Sequence, residues 1–226
     1  MVPTIAAAIA LAAVLLRGPW RLTRTVITIV HEAGHALVAV LSGRRLQGIM
    51  LHSDTSGVTV SRGKRTGPGM VLTSLAGYPA PAVLGLLFSV LIVLDRSAMV
   101  LVIAAVLLLG VLVMVRNAFG AFAVVITAGA LGALAYFGTP DIKSALVSVI
   151  TWFLLFGSLR AVFELQSKRR RGTARDSDAD QLGRLTGVPA VLWVLVMGVI
   201  ALLCLVVGGT QLVEPVFGDL AVVRHT

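Results

Sequence analysis

Two histidines four residues apart flank a glutamate in the segment His31-Glu32-Ala33-Gly34-His35. On a helix that spacing puts both imidazoles on one face, where they can ligate one metal ion. Glu32 is placed to take a proton from a water that the ion activates, the arrangement that makes H-E-x-x-H a zinc-peptidase signature. Such an ion lowers the pKa of water towards ~7 and polarises a scissile carbonyl. One Zn2+ per chain is the expected cofactor, on the chemical preference of the donors.

The setting adds weight to the motif. Thr25 to Gly43 reads as an apolar span, and His31, Glu32 and His35 lie inside it. Ionisable groups in a span cost ~2.5–3.5 kcal/mol each on insertion scales and normally mark function. Three of them in five residues call for a partner such as a metal.

A catalytic zinc takes three protein ligands and keeps one position open. The chain has ten acidic residues and four histidines from which to draw the third. With Glu32 assigned as general base, His52, Asp54, Glu164, Asp176, Asp178 and Asp180 share the expected side of the membrane with His35. Asp95, Asp141, Glu214, Asp219 and His225 fall opposite. His52 and Asp54 belong to a polar turn, and Glu164 ends a span beside a basic run with which it can pair. Asp178 and Asp180 precede a short helix leading to the last span, which they can equally cap. Spacing alone leaves the choice open.

The elements that must position these groups are membrane elements. Hydrophobic residues make up 58% of the 226 and charged residues 13%, against about a quarter charged in a soluble domain. Val2–Leu16 reads as a first span or retained anchor. After Thr25–Gly43, apolar runs follow at Gly69–Leu94, Ala98–Val115, Ala118–Phe137, Ile142–Phe163 and Val188 to about Leu212. These lack the alternation of a barrel wall. The expected fold is therefore an all-α polytopic membrane protein of six to seven transmembrane helices, a single integral-membrane unit over 1–226. Residues 44–65, with mixed polarity and a turn at Asp54-Thr55-Ser56-Gly57, read as a small β-hairpin at the membrane surface. Residues 164–187 read as a polar loop. Cys204 lies in an apolar run and reads as packing.

A net charge of +9 could suggest nucleic acid. The basic residues cluster in short loops between apolar runs, however, which is how topology is encoded, so no nucleic-acid partner is expected. A seven-span reading puts thirteen Lys and Arg, Arg175 among them, with the hairpin and the polar loop. The six opposite are Arg17, Arg21, Arg24, Arg96, Lys143 and Arg224. The hairpin, the polar loop and the site are then expected to face the cytoplasm in a cell (inner) membrane, with the lipid bilayer as surroundings.

The chain resembles the site-2 protease family of intramembrane zinc metallopeptidases, in its compact bacterial peptidase-like branch. The matching stretches are His31–His35, Ala76-Gly77-Tyr78-Pro79-Ala80-Pro81, Arg116-Asn117-Ala118-Phe119-Gly120, and Ser177-Asp178-Ala179-Asp180 ahead of Thr186-Gly187-Val188-Pro189. The resemblance implies an aspartate as third ligand. The family's usual Asp-Gly motif is missing at the expected place, and the Ser-Asp-Ala segment stands there instead, which selects Asp178, with Asp180 behind it. The family's Gly-Pro-x-x-Asn element is also incomplete, because Gly77-Tyr78-Pro79 lacks the asparagine. Asn117, the only asparagine in the chain, is the candidate for substrate binding; helix capping is the alternative.

The expected activity is hydrolysis of a peptide bond in or beside a membrane-spanning protein substrate, with Glu32 as general base. The competing expectation is a catalytically inactive metal-binding membrane protein derived from such peptidases. A transporter with a histidine relay is weaker, since no paired halves with broken helices are visible. Neither the substrate nor the oligomeric state is legible.

Overall fold

A computed structural model describes residues 2–174 and 176–223, with side chains described for residues 3–174 and 176–213. Arg175, Arg224 and His225, to which span counting assigns a side, lie outside the described residues, as do the side chains of Glu214 and Asp219.

The chain runs α1 (Val2–Leu15), α2 (Arg17–Leu41), β1 (Arg45–Leu51), β2 (Gly57–Arg62), α3 (Pro68–Leu75), α4 (Pro79–Val93), α5 (Ser97–Met114), α6 (Ala118–Phe137), α7 (Pro140–Arg170), α8 (Asp178–Thr186) and α9 (Ala190–Val223). Among the described residues, α2, α5, α6, α7 and the Ala190–Val213 part of α9 are long and apolar enough to cross a membrane. The pair α3 and α4 makes a sixth if it counts as one span, bent by 69°. The fourteen residues of α1 rise only about 21 Å, short of a ~30 Å hydrocarbon core. The protein is a polytopic, mainly helical membrane protein with one two-stranded sheet among the described residues.

Helix α7 is the centre of the bundle. Its Val147, Leu154 and Leu155 are buried with Ala6, Ala10 and Val14 of α1, Ala82 and Phe88 of α4, and Ala201 and Cys204 of α9. Cys204 is thus a packing residue, as its apolar surroundings suggest. Outward positions are apolar too: Val106 and Leu109 of α5, Phe122 of α6 and Leu203 of α9 are exposed. Large apolar side chains facing outward in this number fit a lipid solvent.

Three readings of the sequence change. The apolar run Gly69–Leu94 is broken at residues 76–78, because Gly77 and Pro79 interrupt the helix. The polar segment 164–187 is mostly helix: α7 continues to Arg170, and α8 is the short helix expected ahead of the last span, starting at Asp178 itself. The hairpin forms, antiparallel with a bulge between Leu46 and Gly48, but it is packed into the bundle on one face. Ile49 and Leu51 are buried with Ile29 and Ala36 of α2 and Leu108 and Val111 of α5.

Candidate metal centre

Helix α2 carries His31 and His35 one turn apart, and their Nε2 atoms lie 3.0 Å from each other. Asp178 is the first residue of α8. Its Oδ2 lies 3.2 Å from the Nε2 of each histidine. A tetrahedral ion with bonds of about 2.0–2.1 Å holds its donors roughly 3.3–3.4 Å apart, so this triangle fits one within a few tenths of an ångström. Two imidazoles and a carboxylate are also a donor set that zinc accepts.

The orientation of His35 comes from the break after α3. Its Nδ1 donates to the carbonyl of Thr73 at 2.6 Å, one of the last-turn carbonyls of that helix. With its proton committed there, a neutral His35 presents a lone pair at Nε2, next to the Nε2 of His31 and the Oδ2 of Asp178. A cation is the natural group to occupy such a point, and a carbonyl behind the histidine is the usual support for a metal ligand. Tyr78 packs edge-on against His31, ring centroids 4.7 Å apart. Gly77 makes the approach possible: a Cβ there would fall 2.6 Å from the Nε2 of His31.

Asp178 and Asp180 part company at the start of α8. Ser177 and Asp180 form a capping box, the Ser177 side chain accepting from the Asp180 amide and Asp180 accepting from the Ser177 amide. Asp180 also pairs with Arg169. Burial acts to raise its pKa, but Ser177 and Arg169 outweigh it and hold the carboxyl below its ordinary value. The alternative ligand Asp180 is therefore turned away from the histidines, since residues two apart do not share a helix face.

Glu32 is buried beside this triangle and faces the hairpin. Thr59 of β2 donates to its Oε2 at 2.6 Å. At residue 57 a Cβ would fall 2.5 Å from Oε1, so only glycine leaves that oxygen free. The hairpin thus takes one oxygen of the carboxylate and spares the other.

Asn117 does not stand among these groups. Its Oδ1 accepts from the amide of Leu51 at 3.1 Å and its Nδ2 donates to the Leu51 carbonyl at 2.7 Å. It ties the end of β1 to the start of α6, with both ends of its amide engaged with the Leu51 backbone. The other candidates are also occupied elsewhere. Glu164 pairs with Arg24 and Arg160, not with the basic run that follows it. Asp176 pairs with Arg184. Asp54 accepts from the Ser56 hydroxyl and amide, which hold its carboxyl below the usual range.

The Arg24–Glu164 pair, 3.1 Å long, also corrects the sidedness of the N-terminal arginines. Arg17, Arg21 and Arg24 line one cleft with Arg160, Lys168 and Arg171, so all six share one side. That end of α2 is the one away from Arg44, Arg45 and the base of the hairpin, so the thirteen-to-six division of the span count does not hold. Thr59 and Thr73 are not singled out by sequence, and Tyr78 enters only as part of the Gly77-Tyr78-Pro79 turn. Thr59 leaves a trace, because Gly57, Thr59 and Ser61 alternate with exposed Val58 and Val60; Thr73 acts through its backbone and leaves none.

The family model described as Peptidase M50B-like matches residues 4–208. No curated protein matches the chain, and no solved structure does. The matched span takes in α2, the hairpin and α8, the elements that assemble His31, His35, Asp178 and Glu32. On that match the chain belongs to the Peptidase M50B-like family, within the site-2 proteases.

Proposed function

We propose that the protein is an intramembrane zinc metalloprotease that hydrolyses a peptide bond in or beside a membrane-spanning substrate. The observation that carries this reading is the convergence of His31, His35 and Asp178, with donor atoms 3.0–3.2 Å apart, next to a buried glutamate. Zinc, when bound, supplies Lewis acidity that acidifies water and polarises the scissile carbonyl. Glu32 takes the proton from the attacking water and returns it to the leaving nitrogen. The Thr59 hydroxyl holds Oε2, which leaves Oε1 as the working oxygen. The Thr73 carbonyl fixes the ring of His35, and the Ser177 cap fixes the start of α8 and with it Asp178.

A helical substrate must be unwound, because its carbonyls are already bonded. Strand β2 offers a place to hold an extended segment. The outer edge of β1 is taken, since Arg116 donates to the Ile49 carbonyl and Asn117 bridges Leu51. Ile49 and Leu51 therefore turn their backbone groups away from β2. Their partners Thr59 and Gly57 turn theirs to the outer edge of β2, beside Glu32. The Lys and Arg gathered at the start of α2 and the end of α7 support a cytoplasmic position for that end of the protein in the cell membrane.

The test is zinc content and cleavage measured together on the purified chain. Near one zinc per chain is expected for wild type and Asp180→Ala, and loss for His35→Ala and Asp178→Ala. Glu32→Gln should keep zinc while cleavage drops by about a hundredfold to ten-thousandfold. Zinc retained in Asp178→Ala removes the third ligand from the proposal. No cleavage difference between wild type and Glu32→Gln favours a metal-binding protein without turnover.

A further inference from the structure

Away from the metal centre, an open cleft of about 830 Å³ lies between the start of α2, the hairpin turn and the end of α7. Six cations line it: Arg17, Arg21, Arg24, Arg160, Lys168 and Arg171. The carboxylates in its wall are Asp54 and Glu164. Glu164 is shared by Arg24 and Arg160 and accepts from the Trp20 indole at 2.7 Å. Asp54 is engaged by Ser56. Arg17, Arg21, Lys168 and Arg171 are exposed and have no carboxylate partner among the described residues. The cleft is of ligand size and carries a surplus of positive charge.

Its rim is apolar. Leu22 lines the cleft and is 82% exposed. Leu15, Leu16 and Phe163 are exposed nearby along the chain on α1, its junction with α2, and α7. Arg160 lies 4.5 Å over the ring of the buried Trp20, which fixes its guanidinium in the wall of the cleft. A soluble acidic peptide gains nothing from an exposed leucine in the wall, whereas a phospholipid places its phosphate among the arginines and its chains against Leu22 and the outward apolar surface.

We propose that this cleft is a binding site for the phosphate of an anionic phospholipid. The site touches the machinery described above through the hairpin turn. Arg24 bonds to the Thr55 hydroxyl, and Thr28 donates to the Thr55 carbonyl at 2.8 Å. From that turn β2 leads directly to Gly57 and Thr59 at Glu32. A bound headgroup therefore sits at the root of the strand that orients the glutamate.

The experiment counts lipid bound to the purified full chain by native mass spectrometry. Phosphatidylglycerol, phosphatidylcholine and inorganic phosphate are titrated separately. One variant combines Arg17→Gln, Arg21→Gln and Arg171→Gln, leaving Arg24 and Arg160 to hold Glu164. A control removes the same charge from the hairpin end with Arg62→Gln, Lys64→Gln and Arg65→Gln. Phosphatidylglycerol should bind wild type and control alike, and the cleft variant at least roughly tenfold more weakly. Lysine at the same three positions should restore binding, which a folding defect would not allow. Equal weakening in both glutamine variants, or none in the cleft variant, overturns the site. Phosphatidylcholine that binds as tightly as phosphatidylglycerol overturns the preference for an anionic headgroup. Inorganic phosphate that binds as tightly as the lipid and displaces it overturns the lipid assignment in favour of a free anion. Binding is read without turnover, so failure here is separate from failure of the protease reading.

Discussion

A methyl group at residue 77 would press on both histidines. Gly77→Ala should therefore weaken zinc binding by about 10–100-fold, the scale of a disturbed ligand support, measured by competition with a chelator. Unchanged affinity would mean that the α3–α4 junction yields easily. Thr59→Val keeps the shape and removes the hydrogen bond to Glu32. Since a bond to a charged group is worth about 1.5–3 kcal/mol, kcat should fall roughly tenfold or more with zinc content unchanged. At this scale the sequence is most informative where chemistry is concentrated. His31, Glu32 and His35 announce themselves by spacing, and Asp178 comes from a resemblance in motif order. Thr73 is beyond reach because its contribution is a backbone carbonyl at a helix end.

Among the elements, α8 is held by its cap. Ser177→Ala should cost about 1 kcal/mol of stability and loosen zinc through Asp178, as thermal unfolding with and without zinc would show. The cap should also weaken in acid. The folded carboxyl of Asp180 has a lowered pKa, so its contribution is present above the unfolded value and is lost as pH falls through the folded one. The hairpin makes a different prediction. If substrate adds to β2, peptides N-methylated at successive positions around the scissile bond should lose cleavage with a period of two. A loss without alternation would exclude strand addition. The hairpin itself is legible from its turn and mixed polarity. Its burial is not, because Ile49 and Leu51 are covered by α2 and α5, a contact that no local pattern records.

For the whole molecule, the bundle around α7 follows from apolar runs whose lengths the sequence displays. What the runs do not show is which ends meet. Counting spans puts Arg24 opposite Glu164, and the ion pair brings them together. Single cysteines introduced at Arg21 and Arg171, in a chain with Cys204→Ala, should therefore react with an impermeant reagent from the same side of the membrane. Labelling from opposite sides would contradict the cleft. The same labelling in oriented vesicles would test the cytoplasmic assignment.

The separation of the ligands along the chain has a consequence for biosynthesis. His31 and His35 leave the ribosome early, while Asp178 follows only after α3 to α7 have been made. During that interval the two histidines and Glu32 exist without their third partner. A nascent chain stalled after Arg171 should accordingly hold zinc weakly, and the finished chain tightly. The order of synthesis would thus keep the centre silent until the molecule around it is nearly complete.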